Sequence, residues 1–129
     1  MKTAIKTLLM LAALGCASCV QPTQRQTVVY TLDVSSIKHV RTVGLRGSDK
    51  PLSWEVDLPM QLVEKGKMYR AVVTYQTGFR CTEVKFVVND TFELAQQDNR
   101  KIYFRPIRDT TYYQAIFDRR SSAGGADFQ

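Results

Sequence analysis

Few residues in this chain are equipped to break bonds. His39 is the only histidine, so any Ser–His or Cys–His nucleophile would have to use it. Gly44-Leu45-Arg46-Gly47-Ser48 lacks the central serine of a nucleophile elbow. A zinc site built from three or four His and Cys ligands cannot be assembled from one histidine and Cys81, the single cysteine beyond the first nineteen residues. The twelve Asp and Glu side chains are spread along the chain, and no spacing marks out a glycosidase pair. No glycine-rich phosphate loop is present. His39 reads as a surface residue leading into a strand, and Cys81 as a small apolar filler at a strand start. The chain therefore reads as a binding protein that is not an enzyme, with no cofactor and no metal.

The residue types that suit binding occur in a fixed order. Val43-Gly44-Leu45-Arg46-Gly47-Ser48 is followed by the lone Trp54, then Lys85-Phe86, Phe92-Glu93 and Asn99-Arg100. This ordered set, covering about residues 27 to 117, resembles the starch-binding domains of carbohydrate-binding module family 20 and the related glycogen-binding modules. The resemblance implies a domain that holds α-glucan without cleaving it. Trp54 and Phe92 would be its aromatic platforms, and Lys85 and Asn99 its hydrogen-bonding groups. The physics agrees: a pyranose has an apolar C–H face that stacks on a ring, while its hydroxyls need donors and acceptors. Phe92 stands where the family usually has tryptophan, and Met60 to Lys67 lacks the family's further glucan contacts. A second possibility stays open. Trp54 and Phe92 can pack within the fold, with Asn99-Arg100 shaping a turn, in a structural or partner-binding lipoprotein. Its edge strand, Thr111 to Phe117, would then accept another chain by strand addition.

The elements that must position these groups are strands. Val, Ile, Tyr, Phe and Thr dominate the apolar positions, a palette suited to a pleated surface. Val28, Tyr30, Leu32 and Val34 alternate with Thr27, Val29, Thr31 and Asp33. Similar alternation predicts strands over 40–46, 68–75, 81–88, 101–105 and 112–117, with shorter extended pieces at 53–58 and 92–94. Turn chemistry separates them at Gly47 to Pro51, Glu64 to Lys67, Thr77-Gly78 and Asn89-Asp90. No segment keeps helical periodicity over three turns. Strands at this spacing predict an all-β fold, an antiparallel immunoglobulin-like β-sandwich of seven or eight strands.

The ends read differently. A basic opening (Lys2, Lys6) and the apolar run Thr7 to Gly15 form a secretory leader, too short to remain as a membrane-spanning helix. Ala13-Leu14-Gly15-Cys16 and Cys16-Ala17-Ser18-Cys19 both resemble the bacterial lipobox, whose cysteine receives a diacylglycerol. Cys19 is the preferred attachment site and Cys16 the alternative, giving residues 1–18 as signal peptide. A disulfide from either to Cys81, or a soluble periplasmic product, is the competing reading. The expected location is the bacterial cell envelope, at the outer membrane or cell surface, lipid-anchored. Residues 19–26 read as a flexible tether, 27–117 as the domain and 118–129 as a polar tail. Without the leader's lysines the balance is sixteen basic against twelve acidic side chains. That excess is scattered, whereas a nucleic-acid binder concentrates it on one face, so no nucleic-acid partner is expected.

Overall fold

Val28, Tyr30, Leu32 and Val34 are all fully buried, and the strand that carries the first three organises one half of the molecule. In the computed structural model, residues 22–105 and 110–120 are described. Cys16, Cys19, the leader and most of the expected tail lie outside them. The strands are β1 (Gln24–Asp33), β2 (Val43–Gly47), β3 (Leu58–Pro59), β4 (Gln61–Glu64), β5 (Met68–Thr77), β6 (Cys81–Val88), β7 (Thr91–Phe92), β8 (Arg100–Tyr103) and β9 (Thr110–Ile116).

They form two sheets packed face to face, an all-β sandwich. The first has the order β4-β5-β1-β9; the second has β3-β2-β6-β7, with β8 also paired to β6. The inner faces meet through aromatic contacts. Tyr30 of the first sheet lies edge-on to Phe86 of the second, with centroids 6.1 Å apart. Ala71, Val73 and Tyr75 of β5 and Val84, Phe86 and Val88 of β6 belong to this core, together with Leu45 of β2, Ile102 of β8 and Ala115 of β9. Such alternation turns the opposite face of each strand away from this core; in β5 that face is exposed, whereas in β2 and β6 it is partly covered by the segments that cross it.

Several boundaries differ from the expected ones. Gln24 to Gln26 belong to β1, paired with Tyr75 to Thr77, so the ordered domain begins inside the expected tether. The strand expected from Val40 starts at Val43. Residues just before it are instead tied down by Asn89, whose amide accepts from the Arg41 and Thr42 N–H groups and donates to the His39 carbonyl. The Ser53 hydroxyl accepts from the backbone N–H groups of Glu55 and Val56, bending the chain there and leaving only Leu58–Pro59 to pair. Pro59 occupies an edge strand, where its missing N–H costs no ladder bond. One pairing is not antiparallel: β9 runs parallel to β1, from Thr27 opposite Thr110 to Asp33 opposite Ile116. Side-chain alternation is the same in both strand directions, so it carries no information on this choice. Asn89 and Asp90 both have positive φ (51° and 63°) and close the β6–β7 hairpin as a two-residue turn.

Candidate functional site

The outer face of the second sheet is built from residues that alternate out of the core. Arg46 of β2 stands opposite Lys85 of β6, and Gly44 stands opposite Val87. Val87 in turn pairs with Phe92 of β7. Gly44 carries no side chain for a steric reason. A Cβ there would lie 2.8 Å from the Asp57 Cβ, so the segment around Asp57 is laid directly across this face. Arg46 fastens it. Its Nε donates to Asp57 Oδ1, its Nη1 donates to the Trp54 carbonyl at 2.8 Å, and its guanidinium carbon sits 5.0 Å from the centre of the Phe92 ring. Trp54 is half-buried, while Phe92 remains 39% exposed.

Lys85 occupies the middle of the face, and most of its hydrogen-bonding capacity is committed. Its Nζ donates to the Leu94 carbonyl at 3.1 Å and to the Gln97 carbonyl at 3.0 Å. Two of three ammonium donors therefore hold the loop between β7 and β8, leaving one for anything else. Asn99 is half-buried at the end of that loop. It lines a shallow polar cleft of about 470 Å³ with Glu83, Gln97, Asp98, Lys101 and Arg120.

The four predicted residues thus do not converge on one point. Along β6, Val87 carries Phe92 beside it, Lys85 follows, and Glu83 borders the cleft of Asn99. Four residues of strand separate the two ends, about 13 Å at the usual rise. Phe92 and Lys85 flank Arg46, which holds Trp54 only through its backbone carbonyl, and Asn99 lies beyond Lys85. Arg46 was missed by sequence reasoning as the residue joining them. The available signal was a single charged side chain within a strand whose other members are buried.

The two dipeptides Phe92-Glu93 and Asn99-Arg100 each divide between the faces. Their first members face outward; their second members turn inward and meet. Glu93 and Arg100 form a bidentate pair, with Nη2 to Oε1 and Nε to Oε2 both at 2.8 Å. Glu93 also accepts from the Phe86 and Asp118 backbone N–H groups. Arg100 also donates to the Ile116 and Arg119 carbonyls and to the Tyr113 hydroxyl. Glu93 is fully buried and Arg100 is 4% exposed. Burial alone would lower the Arg100 pKa; the hydrogen bonds and negative charge of Glu93, helped by Tyr113, reverse that and hold it above its ordinary value. This pair is the internal brace that fixes Phe92 and Asn99 on the surface.

Among the described residues, no group of three His, Cys, Asp or Glu side chains is placed to hold a metal ion. Cys81 is half-buried and, among the described residues, bonded to no other cysteine, and His39 is exposed. Comparison of the chain with protein-family models and with curated proteins finds no match.

Proposed function

We propose that this protein is a non-catalytic glycan-binding module, carried on the bacterial cell envelope by a lipid on Cys19, or alternatively Cys16. It would hold an α-glucan across the outer face of its second sheet. The observation that carries this reading is the Phe92 ring, exposed on that face and steadied by the Arg46 guanidinium. A ring held in place loses little freedom when a sugar stacks on it. The linear arrangement of Phe92, Lys85 and Asn99 favours a chain of several sugars over a single one. Stacking supplies the attraction, and the free Lys85 donor and the Asn99 amide select the hydroxyl pattern. So shallow a face suits millimolar to micromolar affinity, about 4–8 kcal/mol.

Titration with maltoheptaose, followed by the fluorescence of Trp54, tests this. Saturable change is expected in the native chain, with affinity about tenfold weaker in Phe92→Ala, equivalent to about 1.4 kcal/mol. Absence of any response in the native chain, with calorimetry agreeing, ends the glycan reading.

A second reading draws on β9. Among the described residues nothing pairs with its far side, and its Tyr112 is 71% exposed. An unpaired edge of this kind can accept a strand from an envelope protein partner. Stoichiometric capture of one partner, lost in Tyr112→Lys while maltoheptaose stays inert, would favour that reading.

A further inference from the structure

A second aromatic feature lies at the opposite end of the sandwich and has no part in the glycan reading. Gln24 pairs with Thr77, so the turn between β5 and β6 sits beside the start of β1. Cys81 pairs with Tyr103, which brings the end of β8 to the same place. Between them is a cleft of about 760 Å³ whose lining includes Pro22, Gln24, Gln26, Phe79, Arg80 and Tyr103. Phe79 is 67% exposed and Tyr103 is 54% exposed. Arg80 is exposed as well, and among the described residues no carboxylate lines the cleft. Arg25 and Arg105 are exposed on the adjoining chain.

Chain length makes this end special. Pro22 lines the cleft, and Cys19 precedes it by three residues. Three residues reach at most about 10 Å, and the six residues from Cys16 about 20 Å. A lipid on either cysteine would therefore keep this end nearest the bilayer surface, most tightly from Cys19. The tether also turns docking into an intramolecular event, so contacts too weak to recruit a free protein would suffice.

We propose that this end of the sandwich docks on the membrane that carries it. Phe79 and Tyr103 enter the interfacial zone, and Arg80 pairs with lipid phosphates. Aromatic rings with a polar or cationic neighbour are suited to that zone, and guanidinium matches phosphate geometry. The inference rests on the lipid-tether part of the proposed function. It also fixes an orientation. Six residues of β6 separate Cys81 from Val87, the partner of Phe92, so the Phe92 face stands about 20 Å farther along the strand.

Trp54 is the only tryptophan, which makes the test direct. On a Trp54→Phe background, Phe79→Trp and Tyr103→Trp each place a single reporter at the cleft, and the second keeps the test alive if the first misfolds. The lipid-bearing full chain is inserted in phosphatidylethanolamine–phosphatidylglycerol vesicles, with and without brominated acyl chains. Both reporters should lose emission on bromination, while Trp54 of the native chain should not. Unchanged emission from both reporters overturns the docking. Emission that responds to maltoheptaose and not to bromine also overturns it, making the cleft a sugar site. Mass spectrometry of the mature N-terminus separates the two failures. A diacylglycerol on cysteine without quenching removes docking alone, whereas an unmodified cysteine removes tether and docking together.

Discussion

Tyr30 and Tyr75 meet hydroxyl to hydroxyl at 2.7 Å, both rings fully buried within the first sheet. Burial raises both acidities' midpoints: Tyr30 goes well above the ordinary value of 10.0, and Tyr75 is pushed up to about 12. The neutral phenols are favoured by folding, so the unfolded chain releases these protons first as pH rises. Their contribution to stability is complete below pH 10 and is lost progressively towards about pH 12. Urea midpoints measured from pH 8 to 12 should fall along this limb, and the Tyr30→Phe/Tyr75→Phe double variant should fall less. An equal slope in the double variant would assign the alkaline limb to other groups. Near neutral pH, Tyr75→Phe alone should cost about 1–3 kcal/mol, because it leaves the Tyr30 hydroxyl buried without its partner. That both rings face the core is legible in the alternation of 28–34 and 69–75. Their hydroxyl contact is not, since the two residues lie 45 positions apart and only the inter-strand register joins them. Lys85 shows the same limit. Its outward direction follows from its place between Val84 and Phe86, but its grip on two loop carbonyls depends on where the loop folds back.

At the scale of elements, Glu93 and Arg100 join pieces that no short sequence window contains. The pair connects the start of the β7–β8 loop, the first residue of β8, the middle of β6 through the Phe86 N–H, and the end of β9 through Ile116 and Asp118. Asp118 reciprocates by accepting the Leu94 N–H at 2.7 Å. Glu93→Leu would leave a buried guanidinium without its anion and two backbone N–H groups without acceptors. It should destabilise the fold by about 3–5 kcal/mol in chemical denaturation. A loss below about 1 kcal/mol would mean that Arg100 swings out to water and that the brace is dispensable. The sequence places Phe92-Glu93 and Asn99-Arg100 seven residues apart, and strand alternation separates outward from inward members. What it cannot reveal is that β7 and β8 both border β6, with the intervening loop looped out. Leu94 and Gln96, at φ 50° and 61°, break the extended run there without a glycine to announce it. The main strands were legible because each buries a regular row. The short β3, β4 and β7 were less so, because two to four residues are too few to show a period.

For the whole molecule, the two sheets impose a polarity that follows from where β1 begins. The proposed lipid end and Phe92 lie at opposite ends of β6, so a docked molecule would hold the Phe92 end of its glycan surface away from the bilayer, with the Asn99 end nearer to it. The basic excess is diffuse, with Arg119-Arg120 the one adjacent pair at the surface because Arg100 is buried against Glu93, and it adds a general attraction to anionic lipid without dictating an orientation. Orientation would come from Phe79, Tyr103 and Arg80. Glycan binding and membrane attachment should therefore be independent. Maltoheptaose should titrate Trp54 with the same affinity in vesicle-bound protein as in detergent, at low and at high salt. If attachment instead pressed the Arg46–Phe92 face against lipid, the titration would vanish on vesicles and return when salt loosens the contact, because exposed charge attraction is screened within about 8–10 Å at such ionic strengths. Affinity that survives both conditions is the outcome expected of a module whose tether and exposed Phe92 ring occupy opposite ends of one strand.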